Sequence, residues 1–393
     1  MNVCQIKIEG FRNLVSQTVN FLTGHASLPA KVVVIYGDNG SGKTSFLESM
    51  FFVGRAKSFR TTQVENLVAF NHLGFTSVVQ LLSDLSPDLI TIGVSKEKRS
   101  KVIAKLDGSN IHKVSELAKS FPILFLGPET FDFISGGPGI RRAFLDFGLF
   151  HVKHSYQDIW VKWKRVLNQR NALLRKLKQE GNRGSNDLEI WDSQFVYLSE
   201  ALSDYRKFMV SELQGFWNRN HENVNVGHEI KLNEASFTSD NSFTLSYYPG
   251  YSEKSGLEEQ LRSSRDRDLR TGYTNLGPQK GDLLMHFGNI PARDLLSRGQ
   301  QKRAIMELSL CQLELLKAFR KEKCVVLIDD LSSELDINNQ QRLLETLILS
   351  DYQIIFTALS KEQAVSVLGE HLINPGLVTM FHVKHGLLNK TYP

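Results

Sequence analysis

Cysteine is scarce in this chain. Only Cys4, Cys311 and Cys324 occur among its 393 residues, and none stands in the spacing of a metal or redox site. All three lie in apolar stretches, so we interpret them as small buried side chains in a reducing compartment. The sequence also lacks any apolar run near the ~20 residues of a membrane-spanning helix. Its first residues show no basic segment followed by an apolar one, so no secretory leader is expected and a cytoplasmic location is predicted.

A strong excess of charge of one sign is absent as well. The chain has 47 Lys and Arg against 42 Asp and Glu, which gives a net charge of +5. Hydrophobic residues make up 41% and charged residues 23%. This composition predicts a globular chain, long enough for two or three domains. The mildly basic balance is compatible with nucleic acid as a partner but does not diagnose it.

The first 150 residues combine strand and helix patterns. Cys4–Ile8 alternates like a strand, and Lys31–Tyr36 is a continuous β-branched run, as expected of a strand buried on both faces. Thr44–Phe52 follows as a short helical pattern. Further strand-like runs are predicted at Thr76–Leu82, Leu89–Val94, Lys101–Leu106 and Phe121–Leu126.

The pattern becomes helical near residue 151. Two long amphipathic helices, Asp158–Glu180 and about Leu188–Phe216, are joined by the short polar linker Gly181–Asn186, which predicts an antiparallel pair. The strand-like runs HEIKL (residues 228–232) and FTLSYYP come next, then a charged helix near Leu257–Leu269. Helix Gln300–Arg320 and strands at 324–328 and 353–357 restore α/β character. We therefore predict one α/β domain in two parts, 1–150 and 272–393, with a helical insertion at 151–271.

A complete phosphate-binding motif follows the strand pattern Lys31–Tyr36. It fits G-x-x-x-x-G-K-[ST], and its glycines let backbone N–H groups surround a β-phosphate. Lys43 is expected to neutralise the β- and γ-phosphates, and Thr44 to offer its hydroxyl to Mg²⁺. The motif and the residue after it comprise Gly37, Asp38, Asn39, Gly40, Ser41, Gly42, Lys43, Thr44 and Ser45. The alternative is a chance glycine-rich turn, which the flanking strand and helix patterns disfavour.

Two carboxylates end the apolar strand Val325–Ile328. The carboxyl edge of a nucleotide-binding sheet is where a metal-holding aspartate belongs. Asp329 is therefore predicted to hold Mg²⁺, directly or through water, and Asp330 to polarise the attacking water. A strand ending in a solvated turn is the alternative interpretation.

A third motif, Leu296–Gln301 (LSRGQQ), precedes the predicted helix Gln300–Arg320. It resembles the LSGGQ signature of ABC ATPases. Ser297 is able to cap the helix and to donate to a phosphate oxygen, Gly299 permits close backbone approach, and Gln300 completes the predicted nucleotide contacts. The alternative is an ordinary helix cap. In ABC ATPases the signature meets the nucleotide held by a second subunit, which implies an ATP-dependent homodimer, and Ser332–Asp336 fits the loop that crosses that interface.

The motifs together resemble the bacterial RecF family, relatives of the SMC-type ATPases. The most specific of them are the Arg-Arg-x-Phe-Leu-Asp run and the Ser-Arg-Gly-Gln form of the signature. The resemblance covers nearly the whole chain and is carried by Gly10–Asn13, Gly37–Ser45, Gly136–Asp146, Leu167–Leu174, Thr274–Leu283, Leu296–Lys302 and Leu327–Asp336.

This resemblance implies an ABC-type P-loop ATPase head, built of mixed sheets with flanking helices, and an inserted α-helical arm in place of a long coiled coil. It implies ATP and Mg²⁺ as cofactors and ATP-dependent binding of gapped or single-strand/double-strand junction DNA, without sequence specificity. It further implies RecR and RecO as partners, and help in loading RecA for repair and the SOS response. By the same resemblance Arg12 lies close to the nucleotide; a surface arginine at a strand end is the alternative.

The chain departs from the related patterns at three places. After Gly277-Pro278 it carries Gln279, Lys280, Gly281 and Asp282 where the family often has a histidine. Thr357 replaces the histidine of transporters, which argues against a transporter subunit. Asp330 replaces the usual glutamate and predicts a weak, slow Mg-dependent ATPase. The alternatives are an ABC ATPase that drives a different machine, and an ATP-gated DNA scaffold with negligible turnover.

Three clusters of cations are candidates for DNA phosphate contacts, which require Lys and Arg on an accessible face. A solvated or ion-paired face is an equally good interpretation of each cluster. Arg141 and Arg142 could instead stabilise the head near the nucleotide. The candidates are Lys57 with Arg60, Arg141 with Arg142, and a basic helix face that includes Lys162, Arg165 and Arg170.

Overall fold

A computed structural model describes residues 1–23, 28–84, 88–111, 113–181, 186–222, 243–320, 323–369, 372–374 and 376–391. The expected strand at 228–232 and most of the expected linker, residues 182–185, lie outside this part of the chain.

The strands include the predicted runs, apart from the one at 228–232, and add several that were not predicted, among them a hairpin near the C-terminus. They are β1 (Asn2–Glu9), β2 (Gln17–Asn20), β3 (Val32–Tyr36), β4 (Gly74–Leu82), β5 (Leu89–Glu97), β6 (Ile103–Leu106), β7 (Ser109–Ile111), β8 (Ile123–Leu126), β9 (Phe243–Tyr248), β10 (Asp282–Phe287), β11 (Ile290–Pro291), β12 (Val325–Ile328), β13 (Gln353–Ala358), β14 (Val378–Lys384) and β15 (Leu387–Thr391).

The helices include the predicted long pair. They are α1 (Lys43–Arg55), α2 (Val114–Ser120), α3 (Pro128–Phe131), α4 (Pro138–Val152), α5 (Tyr156–Glu180), α6 (Asn186–Glu222), α7 (Gly256–Ser263), α8 (Arg265–Thr271), α9 (Ala292–Leu295), α10 (Arg298–Phe319), α11 (Leu331–Glu334), α12 (Ile337–Leu349) and α13 (Lys361–Leu368). None of the described helices is both long and apolar enough to cross a membrane.

The chain forms two compact units. Unit 1 consists of Met1–Phe131 with Arg320–Pro393, and unit 2 of Asp132–Phe319. The predicted boundaries at 150/151 and 271/272 do not coincide with them, because α4 runs across the first and the pairing of β9 with β10 spans the second. Long-range strand pairing leaves no mark in local composition. The three-segment division remains a prediction about domains, whereas the compact units divide near 131/132 and 319/320.

Unit 1 contains two sheets of different construction. The order β15-β14-β3-β13-β12-β8 is parallel except at β15, and the order β2-β1-β4-β5-β6-β7 is antiparallel. Strands β3, β12 and β13 are almost entirely buried, as their apolar runs predict. Because they are parallel, their carboxyl ends meet at one edge. Mixed sheets with flanking helices confirm the predicted α/β head fold.

A buried glutamine links the two sheets of unit 1. The Gln353 amide on β13 accepts a hydrogen bond from Val3 N at 2.6 Å and donates to Val3 O at 3.0 Å and Ala30 O at 2.8 Å. An amide in a dry interior must have such partners, because burial without them costs several kcal/mol, about 1–3 by mutational data. One side chain therefore fixes the distance between β1 and the parallel sheet.

Unit 2 is built on the pair α5 and α6. Trp163 Nε1 donates to Ser199 Oγ at 3.1 Å, and Arg170 Nε donates to Asp192 Oδ1 at 2.6 Å. Since the later residue of α5 meets the earlier residue of α6, the helices are antiparallel, which confirms the prediction. The charged helix expected near 257–269 is instead two short helices, α7 and α8, which meet at Ser264.

Candidate functional site

The glycine-rich loop leads directly into helix α1, whose first residue is Lys43. Gly40 and Gly42 have φ of 76° and 120°, a region that side chains rarely adopt. A Cβ on Gly42 would come within 3.1 Å of Leu14 Cδ2. The Lys43 ammonium donates to Gly37 O at 2.6 Å and to Asp38 O at 2.9 Å, so it lies over the loop. The loop and the helix N-terminus therefore present a positively polarised cradle.

The loop also contains a buried hydroxyl without a partner. Ser41 Oγ is inaccessible to solvent and makes no hydrogen bond within the described chain. Burying such a group unpaired is unfavourable, but Ser41 does not line the cavity beside the loop. The fit to a nucleotide phosphate rests instead on Lys43 and on the backbone N–H groups at the start of α1.

The two acidic residues after β12 have distinct surroundings. Asp329 Oδ1 accepts from Thr44 Oγ1 at 3.2 Å and from Thr357 Oγ1 at 2.9 Å, so strands β12 and β13 and helix α1 converge on it. The amide of Asp330 donates to Thr357 Oγ1 at 2.9 Å. Asp330 has φ of 52°, which turns the chain sharply away from the strand. Thr44 and Asp329 together offer oxygen donors of the kind that Mg²⁺ prefers.

Burial shifts the ionisation of the facing charges. It lowers the pKa of Lys43, and the nearby carboxylates of Asp329, Asp330 and Asp38 oppose that shift. It raises the pKa of Asp329, while the hydroxyls of Thr357 and Thr44 act in the opposite direction. Opposite charges in a partly dry site attract strongly, so this pair is sensitive to whatever occupies the space between loop and strand.

These groups surround a cavity of about 550 Å³ in unit 1. Its lining joins the predicted loop and acidic residues to several that the sequence interpretation missed. Asn13 donates to Gly40 O at 3.1 Å and accepts from Ser45 Oγ at 2.8 Å, so it braces the loop. A polar residue directly after Arg12 is a signal too weak to have identified it. Missed or differently assigned lining residues are Asn13, Arg60, Asn66, Val68, Thr357, Ala358 and Leu359.

Arg12 also lines this cavity. It adopts φ of 47° at the end of β1, and its amide donates to Leu67 O at 2.7 Å. Its guanidinium forms a bidentate pair with the buried carboxylate of Glu48 on α1. The expectation that Arg12 lies near a nucleotide is thus compatible with its position, and the surface-arginine alternative is not, because the side chain is 20% exposed.

The signature-like motif of unit 2 forms a capped helix start. Ser297 N donates to Gln300 Oε1 at 2.9 Å, and Gln300 N donates to Ser297 Oγ at 3.4 Å, which is a reciprocal capping box at the start of α10. Ser297 and Gly299 are exposed. The helix-cap interpretation therefore holds, and the motif also stands open to a ligand or a second chain. Asp336 likewise caps α12 through Asn339 N at 3.0 Å.

The candidates for DNA contact divide by exposure. Lys57, Arg60, Lys162 and Arg165 are exposed, and Arg142 is half-buried. Arg170 was assigned to the basic helix face, but it is 0% exposed. It pairs with Asp192 and Asp268, and that assignment is corrected, because its position on α5 turns it toward α6 and α8.

Arg141 is also buried, at 8% exposure. Its guanidinium is paired with both oxygens of Asp282, at 2.7 and 2.9 Å, and Arg142 Nη1 donates to Gly281 O at 2.7 Å. The interpretation of Arg141 as a DNA contact is therefore corrected to a structural role, whereas Arg142, which is half-buried, stays a candidate. The departure from the family pattern at Gln279–Asp282 falls in the loop that these arginines hold.

The chain is similar to known proteins along most of its length. The family described as "RecF/RecN/SMC N terminal domain" matches residues 2–375. The chain is 34% identical over 396 residues to the DNA replication and repair protein RecF of Hahella chejuensis, with 100% of each chain covered. It is 35% identical over 387 residues to that of Psychromonas ingrahamii, covering 98% of this chain and 99% of that one.

Solved structures give the same result at the level of the fold. A structure described as the recombination mediator protein RecF-ATPrS in the RecFOR pathway superposes with a TM-score of 0.82 at 25% identity, covering 99% of this chain and 97% of that chain. An Smc head domain from Pyrococcus yayanosii superposes with a TM-score of 0.51 at 12% identity, covering 100% and 97%, and shows the fold alone.

Proposed function

Because the chain belongs to the RecF family of SMC-type ATPases, we propose that it is an ATP-dependent DNA-binding recombination mediator. Its relatives are named as DNA replication and repair proteins. The observation that carries the nucleotide part of the proposal is the convergence of Lys43, Thr44 and Asp329 on one cavity of about 550 Å³.

The side chains suggest distinct roles toward ATP-Mg. Lys43 and the backbone N–H groups of the loop bind the β- and γ-phosphates, and Thr44 with Asp329 provides oxygens for Mg²⁺. Bound Mg²⁺ would supply charge neutralisation at the phosphates. Asp330 is assigned as the group that orients and polarises a water molecule. It stands one methylene shorter than a glutamate would, and we infer slow hydrolysis, suited to timing a bound state.

The assembly follows from the exposed signature. Ser297, Gly299 and Gln300 offer a hydroxyl and a helix N-terminus to a phosphate held by a second copy. We infer a homodimer that forms when ATP is bound.

DNA contact is assigned to the exposed cations Lys57, Lys162 and Arg165, with gapped or junction DNA as the preferred class. RecR and RecO are the inferred protein partners, in a cytoplasmic route that loads RecA during repair and the SOS response.

DNA binding at fixed salt, with ATP, with ADP and without nucleotide, tests the proposal. The wild-type chain is compared with Lys43→Met, which removes the ammonium over the loop. We expect tight, salt-sensitive binding with ATP alone and its loss in the variant, because nucleotide binding is coupled to DNA affinity. DNA binding that is indifferent to nucleotide would contradict the mediator function, and the chain would then be an ATPase serving another machine.

A further inference from the structure

Glu48 is a buried carboxylate with no role in the site so far. It is 0% exposed and lies on α1 four positions after Thr44, and therefore on the same helix face. A dry carboxylate requires hydrogen-bond donors, and the described residues give Glu48 three. Arg12 donates Nε to Oε2 and Nη2 to Oε1, the latter at 2.8 Å, and the Ser58 hydroxyl donates to Oε1. Two separate segments thus converge on one side chain.

The first segment is the turn after β1, which contains Arg12. Its bidentate geometry fixes the guanidinium plane as well as its distance, since two parallel N–H donors meet two oxygens. A guanidinium has five N–H donors, and Glu48 takes two of them. Arg12 itself is held at φ of 47°, a conformation that costs free energy in a residue with a side chain. The pairing with Glu48 therefore orients a cation that lines the cavity from an otherwise unfavourable backbone position.

The second segment is the turn Ser58–Thr61. Ser58 Oγ accepts from Arg60 N at 2.9 Å and from Thr61 N at 3.0 Å. Because both amides donate to it, the single hydroxyl proton is directed to Glu48. Phe59, between them, stacks on Phe125 with ring centroids 3.9 Å apart. The turn is therefore anchored on both sides, and it carries Arg60, which lines the cavity and whose charge acts on Asp329.

We propose that Glu48 is a positioning residue for nucleotide binding, which holds Arg12 directly and Arg60 through Ser58, so that both cations face the same bound phosphates. The proposal rests on the proposed nucleotide function of the cavity. It assigns no chemistry to Glu48 itself, which touches neither the loop nor the acidic residues in any hydrogen bond described. The negative charge and the two oxygens of Glu48 hold two branches of contacts, one to Arg12 and one through Ser58 to Arg60. Removal of the charge or of one oxygen should affect both branches.

The test measures the Kd for ATP by titration calorimetry in Arg12→Gln, Arg60→Gln, Glu48→Gln and the double variants. We expect each arginine variant to weaken ATP binding by about tenfold, the scale of one charge-assisted hydrogen bond. Glu48→Gln should weaken it by about as much as both arginine changes together. Adding either arginine change to Glu48→Gln should then change the Kd by less than about twofold, because the contact is already lost.

Ser58→Ala separates the two branches and keeps the buried ion pair. In that background Arg60→Gln should have little further effect, whereas Arg12→Gln should keep its full effect. If Ser58→Ala merely destabilised the protein, it would change the effects of Arg60→Gln and Arg12→Gln to the same extent. A loss of the Arg60 effect alone therefore identifies positioning, even if Glu48→Gln fails to fold. Full additivity of the Glu48 and arginine changes, or an unaltered Arg60 effect beside Ser58→Ala, would overturn the proposal.

ATP binding by the wild type and by Lys43→Met distinguishes this inference from the function on which it rests. If the wild type binds ATP and Lys43→Met does not, the nucleotide site stands, and the Glu48 variants decide the inference by themselves. If the wild type does not bind ATP at all, the proposed function fails, and the positioning role fails with it.

Discussion

At the scale of single residues, Thr357 shows how one hydroxyl organises two carboxylates. It is 4% exposed at the end of β13, donates to Asp329 and accepts from the amide of Asp330, each at 2.9 Å. The left-handed conformation of Asp330 costs about 1–2 kcal/mol, and the bond to its amide helps to hold it. A threonine here therefore has a function that the comparison with transporters did not suggest.

Replacing Thr357 by valine removes the hydroxyl and keeps the shape. We expect the steady-state rate of ATP hydrolysis to fall roughly tenfold, because Asp330 loses its support, while the Kd for ATP changes little. Thr357→Ser keeps the hydroxyl and should retain most of the rate. Equal rates in the valine and serine variants would show that the bond does not matter for hydrolysis.

At the scale of elements, the start of α10 combines a structural and a proposed binding role in Ser297. The reciprocal bonds with Gln300 satisfy two backbone donors that the helix itself leaves unpaired. Sequence alone cannot separate a cap from a phosphate ligand, because both use the same oxygen at the same helix end. The two roles differ in the charge that they tolerate at this position. A helix cap accepts a negative side chain, whereas a phosphate ligand repels one.

Ser297→Asp and Ser297→Ala form a matched pair for this distinction. Aspartate caps a helix as well as serine does, so Ser297→Asp should keep the thermal stability, whereas Ser297→Ala should lose about 1 kcal/mol. If Ser297 meets a phosphate, the aspartate repels it, and ATP should no longer induce a dimer in sedimentation. A dimer of wild-type affinity in Ser297→Asp would reduce Ser297 to a helix cap.

Helix α5 presents Lys162 and Arg165 to solvent and buries Arg170. The double variant Lys162→Gln with Arg165→Gln should weaken DNA binding and reduce the salt slope of log Kd by roughly 2, about one for each phosphate contact. Lys101→Gln with Lys105→Gln removes the same charge from exposed positions of unit 1. If both double variants bind DNA equally well, the face of α5 has no special part in binding.

At the scale of the whole molecule, the predicted nucleotide motifs lie in different compact units. The loop and the acidic residues belong to unit 1, and the signature belongs to unit 2. The proposed dimer would let a signature from one copy complete the site of another. Its lifetime should then depend on hydrolysis, and hydrolysis on Asp330.

Asp330→Asn keeps the size of the side chain and removes the charge. We expect ATP-induced dimers of this variant to persist at least about tenfold longer than those of the wild type, since the carboxylate proposed to activate water is lost. Dissociation after ATP is diluted or removed gives the lifetime. Equal lifetimes would favour the alternative of an ATP-gated scaffold in which turnover is negligible.

Much of the fold could be predicted because its signals are local. The buried strands β3, β12 and β13 are continuous apolar runs, and the stripes of α5 and α6 repeat with the helical period. The elements that were missed include helices α4 and α13, strands β2 and β10, and the hairpin of β14 and β15. The position of β14 beside β3 depends on pairing between residues more than 300 apart in the chain, from Val32 to Val378.

By itself the sequence determined which residues are candidates to hold phosphate and metal, because glycine spacing and a strand end express that chemistry locally. Only the tertiary structure decided which charged side chains are buried, which are exposed and which partners they have. It buried Arg141 and Arg170 in ion pairs, turned Arg60 toward the cavity, and joined Arg12 to Glu48. The sequence does not distinguish a charged side chain that is solvated from one that is paired with a carboxylate. The role of such a side chain depends on partners brought together by folding, and burial without them is too costly to persist.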